Sequence, residues 1–241
     1  MFFLSPDLSA RDRQPELMDQ PGLAEDAHRA ALRGLARVNR LSFSARSIWR
    51  PIVAEMKRQS SRRWRLLDVA CGSGDVPLAL AGYAATERLI LSVAGCDMSD
   101  TAVVHANERA RQSGAAADFF VRDAIRDGLP GGYDFVTCSL FLHHLAEADV
   151  VRLLRAIGDA AGTLGVISDL RRTTFGYALA CFGTRVLSRS RVVHIDGPLS
   201  VRSAFSLEEA SNLADEAGLG GRTSIRPVWP QRFLLTIGPP A

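Results

Sequence analysis

Trp64-Arg65-Leu66-Leu67-Asp68-Val69-Ala70-Cys71-Gly72-Ser73-Gly74-Asp75 is the stretch from which the fold can be read. Trp64 to Ala70 is an apolar, strand-forming run that breaks into a glycine turn. Helical spacing begins immediately afterwards at Val76, Leu78, Ala79 and Leu80. Strand, tight loop and helix in that order make the first half of a βαβ unit. Gly72 and Gly74 are free to take positive φ and carry no side chain, so a ligand can approach the backbone there. Asp68 lies inside the apolar run, where a carboxylate is costly unless it is paired or meets a cationic group.

Three ligand loops share this outline. A phosphate-binding loop has Lys followed by Ser or Thr after its last glycine, where this chain has Asp75. A dinucleotide fingerprint has a third glycine, where this chain has Pro77. The two carboxylates, Asp68 and Asp75, suit a cation better than a pyrophosphate. Asp-Val-Ala-Cys-Gly-Ser-Gly-Asp (68–75) resembles motif I of the class I S-adenosylmethionine (SAM)-dependent methyltransferases. The resemblance implies a loop curved around the methionine part of SAM, with Asp68, Ala70, Gly72 and Gly74 in contact with the cofactor. An ordinary βα turn with two glycines is the bland alternative.

At 241 residues with 47% hydrophobic content, the chain is long enough to bury a core of about one α/β domain. A net charge of +3 is too mild to argue for nucleic acid. Cys71, Cys96, Cys138 and Cys181 form no CxxC pair and join no histidine cluster at metal spacing, so they read as reduced thiols of a cytoplasmic protein, with no metal site expected. No apolar run approaches a membrane span, and the first residues lack the basic start and long apolar stretch of a signal peptide.

Residues 1–22, polar and punctuated by Pro15 and Pro21, read as a loose arm. Helical spacing of Leu32, Leu35, Val38 and Leu41 follows, and Pro51 predicts the start of another helix. Residues 1–60 are thus expected to form an arm and cap helices, with the main domain over 61–241. The resemblance implies that the cap lies across the cofactor mouth. Asn39, Arg40, Ser42 and Arg46 sit near its helix junction, where a solvated helix face is the competing reading.

The second strand, Leu89 to Cys96, ends in Asp97-Met98, some 20 residues beyond the loop. An acid there is placed to accept hydrogen bonds from both ribose hydroxyls of a nucleoside, with Met98 against the adenine. Ser99 or Asp100 caps the next helix. A third strand, Ala117 to Val121, leads to Asp123-Ala124. The resemblance puts Asp123 and the Ala124 backbone beside the adenine; a loop cap is the alternative for Asp123. A fourth strand, Tyr133 to Cys138, runs into Ser139-Leu140-Phe141-Leu142-His143-His144-Leu145, which resembles motif IV of the family. Ser139 and Phe141 fall at the strand carboxyl ends, the ligand crevice of such sheets. Imidazole as a side-chain type titrates near neutrality, so His143 and His144 suit acid–base work, although packing of one ring on the next helix competes with that role.

After a helix from Glu147 to Ala161 and a strand from Gly165 to Leu170, residues 171–205 exceed a simple crossover. Phe175, Ala178, Leu179 and Phe182 form an apolar helical stripe, followed by a basic stretch containing His194 and Asp196. It reads as a substrate lid, with cover for the sheet edge as the alternative. Arg171, Phe175, Arg191 and Asp196 are its candidate acceptor contacts. In an extended loop, His194 and Asp196 would point to one side as a base and its partner; otherwise the two would simply tie the lid down. Ser206-Leu207-Glu208-Glu209 is a capping box, and Thr223–Trp229 with Arg232–Ile237 reads as a closing hairpin.

The expected fold is therefore α/β: a Rossmann-like seven-stranded sheet with helices on both faces, its last strand antiparallel, plus N-terminal helices and a lid insertion. The resemblance implies a methyltransferase that converts SAM to S-adenosylhomocysteine (SAH). A small, largely apolar, phenolic acceptor and O-methylation are favoured, with His194 and then His144 as base. C-methylation of a quinone-like or polyketide ring and a non-catalytic SAM-binding module remain open. No nucleic-acid partner is expected, and the chain would be a monomer or homodimer.

Overall fold

A computed structural model describes residues 6–19, 24, 26, 30, 31, 34, 44–59 and 61–239. The expected cap-helix leucines, Leu32, Leu35 and Leu41, with Val38, and the polar Asn39, Arg40 and Ser42, lie outside the described residues. A seven-stranded sheet has the order β3-β2-β1-β4-β5-β7-β6. Its strands are β1 (Arg63–Val69), β2 (Ile90–Asp97), β3 (Ala117–Val121), β4 (Tyr133–Ser139), β5 (Ala161–Leu170), β6 (Thr223–Val228) and β7 (Arg232–Ile237). β1 to β5 are parallel, and β7 runs antiparallel to both its neighbours, as the closing hairpin predicts. The described helices are α1 (Ser44–Arg58), α2 (Asp75–Thr86), α3 (Asp100–Ser113), α4 (Glu147–Ala160), α5 (Thr174–Leu187), α6 (Arg191–Ser203) and α7 (Leu207–Glu216).

Alternation along the strands builds two cores. Leu67, Val69, Val136, Cys138, Ile167 and Leu235 face α4 and α7. Trp64, Leu66, Phe135, Val166 and Leu234 face Ile48, Ile52 and Met56 of α1 and Leu80 of α2. Buried on both faces, these strands read as continuous apolar runs.

The strand order reverses between β1 and β4, so their carboxyl ends open the crevice where such sheets bind ligands. The backbone is strained at that spot. Ala70, just past β1, has φ +53°, and Leu140, just past β4, has φ +54°. A side chain in the left-handed region costs about 1–2 kcal/mol, and such strain concentrates at functional sites.

Three local expectations give way. Pro51 sits inside α1 instead of starting a helix. β5 begins four residues before the expected Gly165, directly after α4, because Gly162 lets the backbone come close to Tyr133. The basic loop over 188–198 is replaced by α6, which holds Gly197 and Pro198 in its interior. A Cβ on Gly197 would come within 2.5 Å of Thr184 in α5, so the glycine is what lets the two helices pack.

Nor are the described arm residues, 6–19, loose. Arg11 donates to the carbonyls of Ser203, His143 and Leu145, and stacks 3.9 Å from the Phe205 ring. Buried Arg172 donates to the carbonyl of Leu8, and its guanidinium grips Glu209 through two hydrogen bonds. A proline-bearing arm without helical spacing is thus held by charges reaching the carbonyl ends of other elements.

Candidate functional site

At the carboxyl end of β1, the register sets Asp68 beside Thr137 of β4 and Gly95 of β2. Asp68 is 1% exposed, and the Thr137 hydroxyl donates to it at 2.5 Å. Burial pushes its carboxyl up to about 7; the Thr137 hydrogen bond opposes that rise and the nearby Asp97 charge adds to it. A desolvated carboxyl facing another carboxylate is held in its ionised form most readily by a cation.

Ala70, Gly72 and Gly74 all take positive φ in the following loop. Gly72 donates its N–H to one Asp97 oxygen at 2.9 Å, and Ser99 donates to the other at 2.9 Å. Those bonds fix the carboxylate, and each oxygen still has a lone pair for a ligand hydroxyl. Arg109 of α3 secures the loop from outside, accepted by the Ser73 carbonyl at 2.9 Å and paired with Asp75 at 2.6 Å.

The two glycines have different roles. A Cβ on Gly72 would meet nothing within 4 Å, so the space above it is open. A Cβ on Gly74 would lie 2.9 Å from the Phe119 ring and 3.3 Å from Ala106. Gly74 therefore serves the packing of α2, rather than clearance for a ligand.

Further along the crevice, Met98 is 71% exposed. Asp123 caps its own turn by accepting the N–H groups of Ile125 and Arg126, with buried Ala124 between. Ser139 closes β4, paired in register with Ser168.

Sequence reasoning missed the second half of the site. Asp169, buried at the end of β5, accepts the N–H groups of Phe141 and Leu142 at one oxygen, and that of Leu170 at the other. The second oxygen also meets His143 Nδ1 at 2.6 Å. Burial alone would raise its pKa, but the charge and hydrogen bond of His143, with help from the Leu170 N–H and His144, hold it below the usual value. His143 Nε2 faces Glu16 of the arm at 3.9 Å, and Glu16 accepts from Ser200 of α6 at 2.5 Å. The half-buried His144 ring lies 4.2 Å from the His143 ring and 6.5 Å from Phe141. Glu16, His143 and His144 bring ligand atoms within 4.8 Å of one another, a grouping able to hold either a proton or a divalent ion. The acid in an apparently loose arm gave no signal, because only the folded chain brings residues 16, 143 and 169 together.

The His194–Asp196 pair does not form. Both residues lie on α6, where positions two apart point in nearly opposite directions. His194 Nε2 meets the Ser188 carbonyl at 2.7 Å, while Asp196 accepts the N–H groups of Leu17 and Met18. Asp196 thus holds the arm. Phe175, 56% exposed, points outward from α5, Arg191 is exposed at the start of α6, and Arg171 bridges to Phe205 beside β5. These four expected acceptor contacts are not brought together. Arg46 is exposed on α1.

Residues 66–162 match the family described as "Methyltransferase domain". Over those residues the chain carries a methyltransferase domain. The ubiquinone biosynthesis O-methyltransferase of Methylococcus capsulatus is 32% identical over 128 residues, 52% of this chain and 51% of that protein. The protein of that name from Thiobacillus denitrificans is 31% identical over 160 residues, 64% of each. The chain spans about half the length of most of the curated relatives it matches. Among solved structures, magnesium protoporphyrin IX methyltransferase from Synechocystis with bound SAH is 17% identical, with a TM-score of 0.59 over 92% of this chain and 91% of that one. The O-methyltransferase of neocarzinostatin biosynthesis, in complex with SAH and 1,4-dihydroxy-2-naphthoic acid, is 18% identical, with a TM-score of 0.60 over 88% and 58%. These two share the fold.

The donor set fits SAM: a buried carboxyl suited to a cation, an anchored carboxylate suited to a ribose diol, and open space over Gly72. Two predictions follow from this geometry. Gly72→Val adds a side chain at φ +52° and is expected to cost about 1–2 kcal/mol of stability while abolishing SAH binding. Gly74→Val, which collides with Phe119, is expected to lower the melting temperature further. Melting curves and calorimetry separate the two, and wild-type SAH affinity in Gly72→Val contradicts the ligand path. The second concerns pH. Because folding raises the Asp68 pKa from 3.8 to about 7, the ligand-free protein is favoured at low pH and loses that contribution as pH rises through 7. A cationic ligand that pairs with ionised Asp68 should gain affinity as pH rises to about 7 and level off above it. In Asp68→Asn the SAM affinity should be lower and this pH dependence absent; a wild-type pH profile in that variant contradicts the pairing.

Proposed function

We propose that this chain transfers the methyl group of SAM to the oxygen of a small, largely apolar, phenolic metabolite. The observation that carries the reading is the Asp68–Gly72–Asp97 constellation at the carboxyl ends of β1 and β2, beside the strained backbone at Ala70. The curated relatives named as ubiquinone biosynthesis O-methyltransferases support oxygen as the acceptor atom, and the neocarzinostatin enzyme's dihydroxynaphthoic acid complex supports a phenol-like acceptor.

SAM, when bound, supplies a methyl group on a sulfonium leaving group that is already activated. The protein's task is then to place the acceptor oxygen in line and keep water away. In this reading Asp97 holds the ribose hydroxyls, Asp68 faces the methionine amino group, and Met98, Asp123 and Ala124 bound the adenine. Ser139 lines the cofactor crevice and Phe141 faces the acceptor. The arm and α6, joined through Asp196, wall off the carboxyl ends of β4 and β5 and serve as the lid.

A phenol becomes a strong nucleophile only when deprotonated. In this reading His144 takes that role: its ring is half-buried beside Phe141 and tilted against His143. His143 is too buried to meet an acceptor and acts as a positioning residue, fixed by Asp169 at Nδ1 and facing Glu16 at Nε2. The acceptor is a small molecule rather than nucleic acid, the protein is cytoplasmic, and it acts as a monomer or homodimer.

Kinetics with phenols of graded acidity test the base. His144→Ala is expected to lower kcat about 10²-fold or more for a weakly acidic phenol, less for acidic ones, with SAM affinity intact. His194→Ala, whose imidazole is bound to the Ser188 carbonyl, is expected to leave kcat nearly unchanged. A large loss in His194→Ala with none in His144→Ala reverses the assignment.

A further inference from the structure

Helix α5 is built the wrong way round for a helix that only covers a sheet edge. Its inward side carries small residues: Gly176 and Thr184 are its buried positions, and Thr184 packs against Gly197 of α6. On its other side Phe175, Phe182 and Val186 point out, with Leu179 half-buried between them. Phe175, Leu179, Phe182 and Val186 recur at i, i+4, i+7 and i+11, a single stripe along the helix. Phe175, Phe182 and Val186 are 56%, 70% and 64% exposed. Thr173, the N-cap of α5, donates to the Gln231 side chain at 2.7 Å, which sets the first turn of α5 beside the β6–β7 turn. That turn carries Trp229, itself 65% exposed.

Charge accompanies the stripe. Arg185, Arg189 and Arg191 are exposed around the carboxyl end of α5, and none is paired with a carboxylate among the described residues. The one acid between Leu170 and Phe205 is Asp196, which is buried and points to the arm. An apolar helical stripe with an exposed tryptophan at one end and uncompensated arginines at the other has the make-up of an interfacial helix on an anionic bilayer. No helix among the described residues is long and apolar enough to cross a membrane.

We propose that α5 is a peripheral membrane-docking surface that inserts Phe175, Phe182 and Val186 into an anionic phospholipid interface while Arg185, Arg189 and Arg191 contact headgroup phosphates. A polar protein surface of the same net charge would be attracted to such a bilayer without inserting. The same face used between two copies would be indifferent to lipid and would show as self-association.

Flotation of the full chain with phosphatidylglycerol–phosphatidylcholine vesicles and with pure phosphatidylcholine vesicles tests the proposal. Wild type should float with the anionic vesicles and much less with the neutral ones. Phe182→Ser with Val186→Ser should lose most of that binding while keeping the wild-type melting temperature. Arg189→Ala and Arg191→Ala should each weaken it about fivefold at low salt. No vesicle binding by wild type, or undiminished binding by the serine variant, overturns the proposal. So does a wild-type dimer in sedimentation that the serine variant converts to monomer without any lipid binding. None of these readouts depends on SAM or on methyl transfer.

Discussion

Asp169 is the interaction on which the rest of the site depends. One buried carboxylate takes three backbone N–H groups and an imidazole, and so ties the end of β5 to the turn after β4. A charge buried this deeply is tolerated because every side of it is answered by a donor. Through His143 the same carboxylate reaches Glu16, and through Glu16 it reaches Ser200, so the arm and α6 are tied to the turn after β4. Removing it would leave three N–H groups and a buried imidazole without their partner.

Asp68 is the opposite case, a buried carboxylate that the protein answers only in part. Thr137 supplies one hydrogen bond, and the nearest charge is another carboxylate. A group left in that condition beside strained backbone at Ala70 and an open space at Gly72 is poised for a cationic ligand. Stability and function pull apart here, since the free protein would be more comfortable without the charge.

How far the sequence could be read follows from the range of each signal. Strands β1 to β4, the capping box at Ser206 and the closing hairpin are written in contiguous patterns, and the structure has them where the spacing places them. The cofactor half of the site is likewise local, a loop and an acid at two neighbouring strand ends. The other half was hidden because it joins the arm, the β4 turn, β5 and α6 across more than a hundred residues. Gly197-Pro198 is a breaker by local rules, yet it sits inside α6 because Thr184 needs the missing side chain. The helix in turn separates His194 from Asp196, so an error in local structure became an error in chemistry. The arm was misread for a related reason: it lacks periodicity, and what orders it is Arg11, Arg172 and Asp196 reaching partners distant in sequence.

The central claim is that the carboxyl ends of β1 and β2, at the crevice beside β4, bind SAM through Asp68 and Asp97. A crystal structure of the protein grown with SAH tests it most directly. The account predicts the ribose hydroxyls on the Asp97 carboxylate, the amino group facing Asp68 and the chain of the ligand passing over Gly72. Density for the nucleoside away from Asp97, or a crevice that stays closed at saturating SAH, would contradict it.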